Sequence, residues 1–231
     1  MQDTEEKAKH AMQERSAAPA RGYGRRPILV NATAWIGAIG VDARAQTPAP
    51  RLLLLGDSLT AGYGLPQIQA FPVRLQAALT KAGVKAEIVN AGVSGDTSAG
   101  GLARLEWAIG DKPPSHAIVA LGANDGLRGL PPEQMEANLD QIVTRLRSRG
   151  TRILLAGIYA PPNLGRDYAE RFNAVYPTLA RKHQVALYPF FLDGVAAIAA
   201  LNQNDGIHPN AAGVDVIVER MLPAVHALLA R

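Results

Sequence analysis

Beyond residue 50 the chain alternates short, unbroken apolar runs with longer amphipathic stretches, and few architectures accept that pattern. The runs cover 51–55, 85–90, 116–121, 151–158 and 185–188. They are of strand length and lack the in–out alternation of a half-solvated strand, which marks strands buried on both faces. Helical periodicity fills 71–82, 99–109, 132–149, 167–182 and 211–229. Within 132–149, Met135, Leu139, Ile142, Val143 and Leu146 share one stripe, Pro131-Pro132 opens the segment and Gly150 closes it. Strands alternating with helices predict an α/β domain in which helices cover both faces of a parallel sheet. Ligands of such sheets bind beyond the carboxyl ends of the strands. Three polar clusters follow the first three runs: Gly56-Asp57-Ser58, Gly92-Val93-Ser94-Gly95-Asp96 and Gly122-Ala123-Asn124-Asp125. The topology gathers all three at one edge.

Ser58 is a candidate nucleophile at that edge, although Gly-Asp-Ser also reads as a turn with a helix cap. A serine needs a base near neutral pH, and the chain has five histidines. His10 lies in the amino-terminal tail, His183 and His226 in helical stretches, and His116 at the amino end of a strand. His208 remains, in Asp205-Gly206-Ile207-His208-Pro209-Asn210 before the last helix. Asp205 stands three residues before it, within reach of the far ring nitrogen. A turn followed by a helix cap would use the same residues. Acyl transfer also requires donors aimed at the developing oxyanion. The Ser58 amide, the Gly95 amide (unshielded by any Cβ) and the Asn124 side chain qualify, though each alone also fits a loop role.

Taken together, the four blocks resemble the SGNH (GDSL) hydrolase family, named for its Ser, Gly, Asn and His. They read Leu55-Gly56-Asp57-Ser58-Leu59-Thr60, then Asn90 to Ser98, then Leu121 to Gly129, then Asp205 to Asn210. Asn124-Asp125-Gly126-Leu127-Arg128-Gly129 and Tyr188-Pro189-Phe190-Phe191 are most similar to the bacterial thioesterase I/lysophospholipase and arylesterase branch. The resemblance implies a three-layer α/β/α flavodoxin-like sandwich with a five-stranded parallel sheet. It implies a triad of Ser58, Asp205 and His208, and an oxyanion hole of Ser58, Gly95 and Asn124. The activity implied is hydrolysis of small carboxylic esters or thioesters through an acyl-enzyme, with no metal or organic cofactor. Leu127, Ile158, Tyr159 and the segment from Pro161 to Leu164 are candidate pocket walls by position. Asp57 and Asp125 read as loop-fixing carboxylates, and Arg128 as either a loop tie or a contact to an anionic substrate. A carbohydrate acetyl-esterase would use the same triad with a smaller pocket.

Other classes fit less well. Gly62-Tyr63-Gly64 is the sole hint of a dinucleotide fingerprint, and Pro66 and Gln67 spoil it. No Gly-x-Ser-x-Gly elbow occurs, against an α/β-hydrolase. The absence of cysteine excludes thiol nucleophiles and Cys-ligated zinc. A nucleic-acid partner lacks its footprint, since the net charge is only +4 and no basic run continues past Arg26.

The first fifty residues differ in kind. Gly24-Arg25-Arg26 precedes an apolar stretch, and Asp42-Ala43-Arg44-Ala45 follows it. A basic flank, an apolar run too short to span a bilayer and an Ala-x-Ala step describe an export signal cleaved after Ala45. A disordered extension on a cytoplasmic enzyme is the other reading. The expected organisation is an export or extension segment over 1–50 and a catalytic domain over 51–231, acting as a periplasmic or secreted monomer on a small-molecule ester, without stable membrane insertion after processing.

Overall fold

The computed structural model describes residues 48–230; the expected export segment and its cleavage point at Ala45 lie outside them. Five strands, β1 (Arg51–Gly56), β2 (Glu87–Gly92), β3 (His116–Ala120), β4 (Arg152–Ala156) and β5 (Ala186–Tyr188), form one parallel sheet in the order β2-β1-β3-β4-β5. Central strands are the most apolar: Leu52 to Leu55 of β1 and Ala117 to Val119 of β3 are almost fully buried. Among the described residues eight α-helices accompany the sheet: α1 (Ser58–Ala61), α2 (Phe71–Lys81), α3 (Ser98–Ala103), α4 (Leu105–Ile109), α5 (Ala123–Leu127), α6 (Pro132–Ser148), α7 (Arg166–His183) and α8 (Ala211–Leu229). Helix α2 packs on α8, while α6 packs on α3 and α7; α7 and α8 both touch β4 and β5, from opposite faces. The three-layer sandwich follows.

The five runs and five long amphipathic segments appear where the sequence pattern puts them, with instructive shifts. The segment 99–109 is two helices, not one. It breaks at Arg104 (φ −101°, ψ 9°), whose guanidinium turns inward to pair with Asp96 and to donate to the Gly56 carbonyl. Run 151–158 ends as a strand at Ala156; Gly157 still donates to the Tyr188 carbonyl at the end of β5, and its own carbonyl accepts the Phe191 amide from the segment beyond. Strand β2 sits two residues later than its apolar run, which places Gly92 opposite Gly56 at the carboxyl edge. Helices α1 and α5 occupy stretches whose polar, glycine-containing sequence reads as loop.

Strand order reverses across β1 and β3, opening a crevice beyond their carboxyl ends. The loops leaving β1, β2 and β3 meet there. On the described residues no helix is long and apolar enough to cross a membrane.

Candidate active site

Ser58 begins α1, directly after β1. The helix starts there because Asp57 caps it, its Oδ1 accepting the Leu59 amide at 3.0 Å. At the first helical position the Ser58 amide has no intrahelical acceptor and stays available. Gly62 ends the helix in the left-handed region (φ 82°), and the Gly62 and Tyr63 amides both return to the Ser58 carbonyl. The nucleophile candidate is thus held by a cap on one side and a closed turn on the other.

His208 Nε2 lies 2.9 Å from Ser58 Oγ, and His208 Nδ1 lies 2.7 Å from Asp205 Oδ2. The other Asp205 oxygen accepts the amides of Ile207 and His208, each at 3.0 Å. Those contacts, the His208 amide foremost and then its ring, hold the Asp205 carboxyl down at about pKa 2. An ionised carboxylate can only accept, so Nδ1 carries the proton and Nε2 presents a lone pair to the serine hydroxyl. One Asp205 oxygen closes the turn and the other faces the His208 ring, so its geometry accommodates both readings open at that residue. Asn210 caps α8 by accepting the Gly213 amide. The Tyr63 ring lies against the His208 imidazole, centroids 4.6 Å apart.

Gly95 sits across the cleft with φ +85°, a conformation that disfavours any side chain, and its amide has no partner among the described residues. Asn124, in the first turn of α5, donates one Nδ2 proton to the Asp96 carbonyl at 2.9 Å, leaving the second free. The surrounding polar side chains fix these donors. Arg128 donates to the Gly95 carbonyl at 2.8 Å, so the arginine ties a loop rather than pairing with an acid. Asp125 accepts the Ser98 amide and hydroxyl at 2.7 and 2.6 Å, and Asn138 donates to the same hydroxyl. Arg104 links Asp96 to the Gly56 carbonyl, joining the second loop to the first.

Ser58, Gly95, Asn124 and His208 share one cleft of about 470 Å³, and so do Leu127, Ile158, Tyr159, Pro161 and Pro162, whereas Asn163 and Leu164 do not line it. Its walls also include side chains that sequence reasoning passed over: Tyr63, Phe190, Leu192 and Ile207. Phe190 stacks on Tyr159 with centroids 4.4 Å apart. It stands in the Tyr188-Pro189-Phe190-Phe191 block that marks the branch, the one available sign of its role. Among the described residues no group of three or more His, Asp or Glu side chains could hold a metal ion.

Residues 54–216 match the model of the GDSL-like lipase/acylhydrolase family. The chain belongs to that family. Among curated relatives of this GDSL-like chain, the esterase TesA of Pseudomonas aeruginosa is 42% identical over 184 residues, 80% of this chain and 92% of the relative. Thioesterase 1/protease 1/lysophospholipase L1 of Escherichia coli K12 is 42% identical over 181 residues, covering 78% and 86%. The crystal structure of TesA superposes with a TM-score of 0.74 at 42% identity, over 77% of this chain and 99% of that one.

Proposed function

We propose that Ser58 is the nucleophile of this carboxylic ester hydrolase and that His208 and Asp205 complete its charge relay. The chain is a serine ester hydrolase by family; what is proposed is which residues carry the reaction and on what substrate. His208 Nε2 takes the hydroxyl proton as Ser58 Oγ attacks the acyl carbon. The oxyanion is held by the amides of Ser58 and Gly95 and the free Nδ2 proton of Asn124. His208 then gives its proton to the leaving alcohol or thiol. Water, deprotonated by the same nitrogen, releases the acid and restores the serine. Asp205 orients the imidazole and stabilises its cation.

The observation that carries this reading is the unbroken hydrogen-bond chain from Asp205 through His208 to Ser58, opening into an apolar cleft. Its size falls within the range of about 300–1,000 Å³ usual for small-molecule sites. Leu59, Ile158, Pro161, Phe190 and Leu192 line it, which favours an acyl chain longer than acetyl over the carbohydrate acetyl-esterase reading. Hydrolysis of p-nitrophenyl esters from acetyl to palmitoyl, by wild type and Ser58→Ala, tests it. The expected result is turnover with a medium-chain optimum that Ser58→Ala abolishes; residual turnover by the variant near the wild-type rate would refute the assignment.

Residues 1–45 are proposed to be an export signal ahead of a monomeric catalytic domain over 51–231. Amino-terminal sequencing of the protein recovered from an expressing bacterium's periplasm tests this, with Gln46 expected first.

A further inference from the structure

Ser58 and His208 are brought to 2.9 Å across 150 residues of sequence. The His208 loop is itself exposed from Asn204 to Ile207, so something must hold its imidazole in place. Tyr63 supplies one flank. Beyond Tyr63 and Asp205 lies a shallow polar depression lined also by Asn202, Gln203, Asn204 and Asn210. It has the look of a ligand site, but its amides are largely spent on the protein. Asn202 Nδ2 donates to Val195 and Ile198 carbonyls, and Asn210 Nδ2 to Ala200 and Asn202 carbonyls. The informative residue there is Gln203.

We propose that Gln203 is a positioning residue that locks the His208 loop to the turn following Ser58. Its Nε2 donates to the Tyr63 carbonyl at 2.8 Å and to the Pro209 carbonyl at 3.0 Å. Two carbonyl acceptors fix the amide's orientation, since only the NH2 end can satisfy both. The backbone of Gln203 closes the loop as well, donating to the His208 carbonyl at 2.8 Å and accepting the Gly206 amide at 2.9 Å. Asn202 and Pro209 form an isolated antiparallel bridge at its base. On the other side, Tyr63 is tied to the Ser58 carbonyl through its own amide. One side-chain amide therefore joins the turn that carries the nucleophile to the residue next to the base. The adjoining chain is shaped to admit it: Gly64 has φ +73°, and a Cβ there would lie 2.2 Å from Gln203 Oε1. Gln203 does not line the substrate cleft, so it acts through His208.

The proposal rests on the triad reading, and its test separates the two. Gln203→Met keeps the side-chain length and removes both donors. Gln203→Glu at neutral pH turns a carboxylate toward two carbonyl oxygens, and when protonated regains one donor. The ionisable groups around this position are Tyr63, Asp205 and His208. Each variant is assayed beside wild type and Ser58→Ala on one p-nitrophenyl ester. Competent sites are titrated with a fluorophosphonate, so that misfolded protein is not counted.

For Gln203→Met the expectation is a kcat per titrated site lower by about 10- to 100-fold, the scale of an ångström-level misplacement, with KM within about twofold. The ratio of Gln203→Glu to wild-type kcat should rise as pH falls from about 8 to about 5, because protonation restores a donor. Merely structural damage would lower the number of titrated sites and leave that ratio flat. Wild-type kcat per site in Gln203→Met, or a pH-independent ratio for Gln203→Glu, would overturn the proposal. Activity retained by Ser58→Ala would instead overturn the triad reading.

Discussion

Asp57 is fully buried beside Ser58, and only one of its carboxylate oxygens has a partner, the Leu59 amide. Burial pushes its pKa up to about 7 from 3.8; the Leu59 contact lowers it less, and the nearby Asp125 and Asp96 charges add to the rise. An acid whose folded pKa is raised binds its proton more tightly in the native state, so ionisation costs stability as pH climbs from the unfolded value to the folded one. Every tenfold gain in proton affinity is worth about 1.4 kcal/mol. Between about pH 4.5 and about pH 7.5 the cost grows by about 3 kcal/mol, and it levels off above that. Asparagine keeps the oxygen that caps α1 and cannot ionise. Asp57→Asn should therefore gain on wild type by about 3 kcal/mol across that window. Urea unfolding of both proteins at several pH values reads this directly, since only the pH dependence of their difference is needed. An alanine control, equally unable to ionise, should lie about 1 kcal/mol below Asp57→Asn at every pH because it lacks the cap. A gap between Asp57→Asn and wild type that does not widen with pH would refute the reasoning and mean that the buried carboxylate is ionised without cost.

Further outcomes concern the cleft and the core. If Asn124 donates to the oxyanion as proposed, Asn124→Ala should lower kcat by about 10²–10³ with little change in KM; an equal loss of kcat/KM through a raised KM alone would remove it from that role. Since Asp205 has its pKa depressed to about 2, its contact to His208 persists on acidification until that pH is approached. The kcat/KM profile should therefore show no inflection near about pH 4, where an unperturbed aspartate would titrate. Ile158→Trp should shift the p-nitrophenyl ester optimum toward shorter chains while acetyl turnover survives, because Ile158 lines the cleft. Phe71→Ala should cost about 3–5 kcal/mol in urea unfolding, Phe71 being fully buried against Phe191.

Much of the fold was legible because its signals are local. A run such as Leu52 to Leu55 can only be a strand covered on both faces, and the stripe from Met135 to Leu146 can only be a helix buried on one side. The candidate site residues were legible by spacing and by elimination among the histidines, and the resemblance bound them together. What escaped was decided by partners distant in sequence. Nothing near Arg104 announces that its side chain will reach the Gly56 carbonyl, 48 residues earlier, and break a helix in doing so. Likewise Phe190 becomes a wall only once β5 brings it beside Tyr159, and Gln203 gains a role only through Tyr63, 140 residues away. Helix α1 is short and built from a turn-like sequence, so its cap at Asp57 outweighs propensity.

The order in which the site's parts occur along the chain sets when the enzyme can act. Ser58 leaves the first strand, and Gly95 and Asn124 follow the second and third; Asp205 and His208 come last, just ahead of the final helix. On the proposed assignment, a growing chain holds Ser58 and its oxyanion donors for most of its synthesis before His208 is made. On that assignment hydrolytic competence waits for the loop of Asp205 and His208 to emerge and dock, and until then the polypeptide is chemically silent toward the esters and thioesters around it.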